Sequence, residues 1–437
     1  MRRASGARVL AWVCVFGMAA SLLGAHEVAT VEQLVAALAA VNGGDADTVV
    51  RIAPGYYDVS GCAMDEKGCL SIQRANVVIE GTDPTSWRET ADRNAKVVLD
   101  AKYARSVFNL LPALTGVRFH HLTIQNGTNT NAKLADGAGA GIQHGWYNGT
   151  YAAVSNCTFT GCWTLRRGGA AFNAALVDCV VSNCHSFAIA SAAGVGSDAG
   201  HRLARVAFVD CGCATNEAGR VAATGCHFED CSFLRCNPAS VILSAVRCRI
   251  VGNGLYRPGN LFAGGAWTNC LVTGIAAQYL FYESRLVNCT VVSNNWGTDG
   301  QLFAMGASAV NCIFKGNYHN GGKAWDIAGY GHYYLTNCVY KAHPGWGDTY
   351  TIHDTDCVRE TAKLFLDPAH PDFDARNPYA LAPASPARNA GAALDWDDGA
   401  CDLAGNPRVF LRDGVGRVDV GCYEYSVLPR GTLLIFR

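Results

Sequence analysis

A cassette, Asn-Cys-x-Phe-x-Gly-Cys, is written out in full at Asn156-Cys157-Thr158-Phe159-Thr160-Gly161-Cys162 and returns in shortened form down the middle of the chain. Its leading cysteine recurs at Cys179, Cys226, Cys248, Cys270, Cys289, Cys312 and Cys338, and Val206 fills the gap between 179 and 226. The steps 157 to 179, 226 to 248 and 248 to 270 are 22 residues each, 289 to 312 is 23 and 312 to 338 is 26. A repeat of this length is one turn of a solenoid, which buries its apolar side only against its neighbours and tolerates insertions at its corners. Positions zero and plus two are apolar in turn after turn: Cys157/Phe159, Cys179/Val181, Val206/Phe208, Cys226/Phe228, Cys248/Ile250, Cys289/Val291 and Cys312/Phe314. Such alternation with period two puts both side chains on one face of a strand. A second short run follows about fifteen residues later, centred on Phe172, Val195, Val221, Ile242, Phe262, Phe303 and Ile327 among Gly and Ala.

Helical repeats need two amphipathic stretches of ten or more residues per unit, and the Gly, Asn and β-branched content denies them. The expected fold is therefore all-β, a single parallel β-helix. Val77-Val78-Ile79, Val97-Val98-Leu99 and Leu122-Thr123-Ile124 read as earlier turns without cysteine. About a dozen turns at roughly 4.8 Å spacing make a rod on the order of 55 to 60 Å long.

Val31-Glu32-Gln33-Leu34-Val35-Ala36-Ala37-Leu38, followed by Val49-Val50-Arg51-Ile52-Ala53-Pro54-Gly55-Tyr56-Tyr57, precedes the repeats. With them the chain resembles the right-handed parallel β-helix proteins of the pectate-lyase-like superfamily. The resemblance implies a right-handed coil, an N-terminal helix over its first turn and a strand ending in Pro-Gly-x-Tyr that begins it. A helix there makes physical sense, because an open edge of parallel strands invites pairing with other chains. The superfamily hosts lyases, hydrolases, adhesins and inert rods, so fold alone assigns no function. A second resemblance lies in Ser385-Pro386-Ala387-Arg388-Asn389-Ala390-Gly391, Asp402-Leu403-Ala404-Gly405-Asn406-Pro407-Arg408 and Val418-Asp419-Val420-Gly421-Cys422-Tyr423-Glu424. These blocks are similar to the motif that closes bacterial surface β-helix proteins before a choice of sorting anchors. Arg388-Asn389 and Cys422 depart from it.

Arg2, Arg3 and Arg8 precede an apolar run from Val9 to Leu23, and Leu23-Gly24-Ala25 offers a small residue for cleavage, the pattern of a secretory signal peptide. The expected layout is 1–25 signal peptide, 26–47 capping helix, 48–345 β-helix, 346–384 cap or linker, 385–425 C-terminal motif and 426–437 tail. The expected place is secreted or at the cell surface, with no membrane span after cleavage. Removing 1–25 takes three arginines and no acids, so 35 − 3 = 32 basic residues face 36 acidic ones, a net charge of about −4. That balance gives no electrostatic reason to bind nucleic acid.

Twenty cysteines become nineteen when removal of 1–25 takes Cys14. In an exported chain they suggest disulfides, but equivalent cysteines of successive turns stack about 4.8 Å apart, whereas a disulfide needs Cβ atoms nearer 3.8 Å. The expectation is a ladder of buried free thiols, with a second ladder at Cys162, Cys184, Cys211 and Cys231 that later turns replace by Asn253, Asn294 and Asn317. Those asparagines are expected to hydrogen-bond along the stack. Cys62 with Cys69, and Cys401 with Cys422, are the expected disulfides. Cys211-Gly212-Cys213 beside Cys231 and Cys236 offers thiolates, but the chain has no Cys-x-x-Cys and the ladders account for the positions, so no metal and no cofactor is expected. Asp395, Asp397, Asp398 and Asp402 lack the alternation and closing Glu of a calcium loop and read as a turn.

Outward strand positions, plus one and plus three, are mostly uncharged. His227, Glu229 and Arg249 stand out, with Arg205 and Arg247 just before their strands. If successive turns bring them together, a general base beside cations suits proton abstraction next to a sugar carboxylate. A surface salt-bridge ladder is the plainer reading. A hydrolase would instead want two facing carboxylates, for which Glu229 with Asp210 or Asp230 could be offered. Trp146, Tyr147, Trp163 and Trp296 lie near corners, where rings stack on the apolar faces of pyranoses. Two readings follow: an exported rod, non-catalytic, with polysaccharide or cell-surface glycan as partner; or a polysaccharide lyase or glycoside hydrolase acting on an anionic polysaccharide.

Overall fold

The computed structural model describes residues 24–425 except 86, 89–94, 131–137, 146–150, 166, 187–190, 212–219, 237–241, 253–255, 297–300, 305, 320–322, 325, 328, 342–349, 360–362, 396–398 and 413–414. The signal-peptide run, Trp146, Tyr147, Cys213, Asn253 and the tail lie outside the described residues. The fold is a right-handed parallel β-helix. One of its sheets holds thirteen strands, one per turn, from Gly55–Asp58 to Val358–Arg359. A second sheet of 21 strands and a narrow one of three close the coil.

Helix Val31–Asn42 caps the N-terminal end. Thr30 accepts from the Gln33 backbone and Gln33 reaches back to the Thr30 backbone, a capping box that fixes the helix start. Leu34, Ala37, Leu38 and Val41 are its buried face, closing the core under the first strands.

The backbone explains the cassette. Asn156 (φ 52°) and Gly161 (φ 65°) are both left-handed, and between them lies strand Thr158–Thr160. Two residues before the strands of the thirteen-strand sheet the backbone is turned the same way at Asp178, Arg205, Asp230, Arg247, Asn269, Asn288, Asn311 and Asn337. Asn and Gly tolerate this region best, hence their place in the repeat. The left-handed corner turns the next residue inward, and cysteine fills that position. Cys248 N–H donates to Cys270 Sγ of the turn above (3.5 Å), as Cys289 does to Cys312 and Cys338 to Cys357 (3.3 Å each). Each thiol donates to the carbonyl two residues back, for example Cys312 to Val310 O at 3.2 Å. Cysteine is thus a small apolar group that also satisfies the corner N–H. Burial pushes Cys179 up to about 12 and Cys157, Cys248, Cys270 and Cys289 well above the usual thiol range.

The second ladder does the same work with another chemistry. Cys211 N–H donates to Cys236 Sγ (3.3 Å), while Ile275 and Asn294 N–H donate to Oδ1 of Asn294 and Asn317 at 3.0 Å. Asn294 and Asn317 also donate to Val272 O and Val291 O of the turn below.

The register differs from the sequence expectation in the middle turns. Ala207 pairs with Ser232, and Ser232 with Arg249, so the first ladder runs Val206, Cys231, Cys248 and the second holds Cys236. Cys226 sits instead in the 21-strand sheet, between His201 and Ile242. The true steps are 25 and then 17 residues, and the 22-residue spacing from 226 to 248 is coincidental. Val78–Gly81 likewise belongs to the 21-strand sheet.

The C-terminal segment folds back along the outward face of the thirteen-strand sheet. Ile313 and Val339 pack with Leu364, Leu381, Ala387 and Val420, while Leu271 and Val292 pack with Cys422 and Tyr423. The three C-terminal blocks meet in one buried knot. Arg408, fully buried, pairs with Glu424 at 3.0 Å and donates to Gly421 O and Asp419 O. Asp402 accepts from the backbone N–H of Ala404, Asn406 and Glu424, so it serves as a turn anchor.

The two expected disulfides are not formed: Cys62, Cys69, Cys401 and Cys422 are free thiols. Cys422 is buried against Leu271 and Val292, whereas Cys401 is exposed. Cys69 is buried on the face of strand Gly68–Ile72 that carries Ser71, opposite Leu70 and Ile72, and half-buried Cys62 packs nearby from the loop side.

Candidate functional site

His227 and Glu229 stand on strand Arg220–Glu229 of the 21-strand sheet, and Arg249 stands on strand Arg249–Val251 of the thirteen-strand sheet. The structure therefore separates the three residues that the sequence grouped. The cause is the register of Cys226: a residue after that cysteine and one after Cys248 lie on different faces.

Glu229 is held between two arginines. Arg202 Nε donates to its Oε2 at 3.1 Å and Arg247 Nη2 to its Oε1 at 3.1 Å. Arg247 also grips Asp230 through Nε (2.7 Å) and Nη2 (2.8 Å). Arg205 forks onto Asp178 at 2.6 and 2.7 Å, and Arg235 onto Asp210 at 2.7 and 2.6 Å. Paired carboxylates raise the affinity of Arg205, Arg235 and, most, Arg247 for their protons, with Asp230 the main cause at Arg247. His227 is exposed, and its Nδ1 lies 2.8 Å from Ser244 Oγ on the next turn. The arrangement is a set of mostly exposed ion pairs at both corners of the thirteen-strand sheet, Asp178–Arg205 and Asp230–Arg247 before its strands and Asp210–Arg235 after them. Asp210 and Asp230, the carboxylates a hydrolase would use, belong to it too. Arg202 was missed because it follows a Gly/Ala run read only as an uncharged second strand.

Arg249 serves the C-terminal segment. It donates to Arg376 O and to Asn377 Oδ1 (2.7 Å), and its guanidinium lies 5.8 Å from the Tyr423 ring centroid. Trp296 is fully buried and so presents no ring to a glycan. Trp163 is half-buried in the three-strand sheet, in register with Thr128 below and His185 above.

One concave site lies on the N-terminal turns, four rungs below the His227 turn and so roughly 19 Å away along the axis. Glu66, Lys67, Ala104, Arg105, Thr128, Asn129, Thr130 and Gln143 line a notch of about 120 Å³. Its floor is a column of buried polar side chains. Ser71, Asn109 and Gln143 stack in register, and Asp65 accepts from Asn109 Nδ2 at 2.7 Å. Asn129 Nδ2 donates to Gln143 Oε1 at 3.2 Å. Hydrogen bonds from Asn109, Ser71 and the Gly68 and Lys67 backbone hold Asp65 below the usual carboxylate range against its burial. Outward-facing buried polar residues in three successive turns were the signal available in sequence, masked there by the absence of cysteine.

No family model matches the chain, and no curated protein matches it. Among solved structures it is similar to the catalytic domain of a GH87 α-1,3-glucanase in complex with tetrasaccharides, at 13% identity and a TM-score of 0.38, covering 75% of this chain and 67% of that one.

Proposed function

We propose that the chain is an exported, non-catalytic β-helix rod that binds glycan or serves as cell-surface architecture. The observation that carries this reading is the state of the only outward carboxylate beside a histidine in the sequence-derived cluster: Glu229 is neutralised by Arg202 and Arg247. Both of its oxygens are engaged by these guanidinium groups, which leaves neither aimed at a substrate proton. Arg249, which a lyase would need against the substrate carboxylate, is occupied two-fold by the C-terminal segment. The signal-like N-terminus supports export.

The test is to incubate the purified mature chain with acidic polysaccharides and follow unsaturated ends by absorbance and new reducing ends by a copper assay. No product above buffer is expected, alongside retention of the chain on one or more of the same polysaccharides. Turnover abolished by H227A or E229A would replace this reading with the lyase one.

A further inference from the structure

We propose that the notch on the N-terminal turns is a subsite for one hexuronate residue of an acidic glycan, with Arg105 facing the sugar carboxylate and the amides of Asn129 and Gln143 facing its hydroxyls. This deepens the glycan-binding reading and rests on it.

Arg105 differs from the arginines of the corner ion pairs. Arg202, Arg205, Arg235 and Arg247 each hold a carboxylate. Arg105 has no carboxylate partner among the described residues; its Nη1 donates to the neutral Asp65 carbonyl at 2.7 Å. That bond fixes the planar fork while leaving its other N–H groups for a ligand, and a guanidinium is suited to grip a carboxylate bidentately. Beside it, Asn129 and Gln143 are buried at 7% and 3% exposure, yet line an open notch. Thr128 also lines it, is 6% exposed, and carries a hydroxyl with no hydrogen-bond partner. A buried hydroxyl left unpaired costs about 1–3 kcal/mol, and a ligand with several hydroxyls is the group that removes such a cost.

Size narrows the ligand. Drug-sized pockets run from about 300 Å³ upward, so a notch of about 120 Å³ takes part of one ring and leaves the rest of a chain outside. Trp163, in register one rung above Thr128, provides a half-buried ring on the same side for the neighbouring sugar.

The experiment is titration of the full mature chain with galacturonate, glucuronate and their short oligomers, with glucose as the uncharged control, followed by calorimetry and by amide chemical shifts. Uronates are expected to bind at least about tenfold more tightly than glucose, the worth of one charge-assisted contact. R105Q is expected to erase that preference, R105K to restore it in part, and T128V to weaken all three sugars, with circular dichroism unchanged. Equal affinity for glucose and uronate, or a preference that survives R105Q, overturns the assignment. If the chain holds acidic polysaccharide and R105Q leaves retention intact, the notch proposal falls while the glycan reading stands; if no sugar or polysaccharide binds, both fall.

Discussion

Asp178, Arg205, Asp230 and Arg247 occupy, in the middle turns, the corner that Asn269, Asn288, Asn311 and Asn337 occupy in the later ones, and all eight share φ values between 49° and 55°. In the middle turns the outward strand residues Thr160, Val180, Ser182 and Val209 are only partly covered. In the later turns Leu271, Thr273, Thr290, Val292 and Ile313 are buried beneath the C-terminal segment. The corner side chains follow this division. Where the face is open, aspartate and arginine alternate at the corner and pair with each other across turns. Where it is covered, Asn269 donates to Cys401 O (3.1 Å), Asn311 exchanges two bonds with Ala392 (2.8 and 2.9 Å), and Asn337 donates to Ala390 O (3.3 Å). Asn269, Asn311 and Asn337 thus meet this backbone requirement and also hold the covering segment. From Asp178 to Arg247 it is met by residues paired across turns, and Asn156 is an asparagine on the open part of the face.

The comparison breaks most completely if the covering segment is released. R408M removes the partner of Glu424 and the donors to Gly421 and Asp419 carbonyls. Leaving the buried Gly421 and Asp419 carbonyls and the Glu424 carboxyl without their donor costs about 1–3 kcal/mol for each group left unsatisfied. The expected outcome is a segment that hydrogen exchange finds open and that proteases cut between 364 and 425, with the coil upstream of Arg249 still protected. Loss of protection throughout the rod would show that the segment is part of one cooperative unit.

The same knot gives the second effect. Burial pushes the Glu424 carboxyl up to about 9 and raises Asp419 as well. The folded state therefore keeps these protons to higher pH than the unfolded chain does. The stability this provides is complete below the ordinary carboxylate range and is lost as pH rises toward about 9. Protection of the Gly421 and Val420 amides is expected to fall from pH 5 to pH 9, and E424Q to flatten that slope. An unchanged slope in E424Q would exclude Glu424 as its source.

A third, smaller effect separates the two duties of a corner asparagine. N311A loses both bonds to Ala392 and puts a Cβ without a polar group at φ 53°, which together cost about 2–3 kcal/mol. N311G keeps the corner relaxed and loses only the bonds, about 1–2 kcal/mol. Denaturant midpoints of the two variants give the difference; equal losses would mean that the corner conformation carries no strain.

Fold and period were legible because the Asn-Cys pair marks both the left-handed corner and the inward residue after it. The register of the middle turns was not, because Cys226 and Cys231 are five apart, the same interval that separates the two ladders, so either reading aligns cysteine on cysteine. That ambiguity moved His227 and Glu229 onto the face of Arg249. The occupation of Arg249 and the burial of Trp296 were illegible for a different reason: they depend on a segment more than a hundred residues downstream and on the interior of a turn, and neither leaves a local pattern. The notch was hidden in turns whose outward polar residues look like solvated surface until Asp65 is seen to cover them.

The smallest expected effect tests whether the open corner is stabilised at all by its charges. R205G gives up the fork onto Asp178, whose two side chains are 52% and 37% exposed, a pair worth about 0.2–1 kcal/mol at most. It also relieves the left-handed strain of a non-glycine residue at φ 54°, worth about 1 kcal/mol. The two nearly cancel, so unfolding midpoints of R205G should lie within about 0.5 kcal/mol of the parent, with a weaker dependence on salt because an exposed pair is what salt screens. N311G, carrying the same replacement at the same backbone position, should lose stability under identical conditions. If R205G loses as much as N311G, the charged corner holds something that the exposed pair does not account for, and the division between an open and a covered half of the sheet fails at its plainest point.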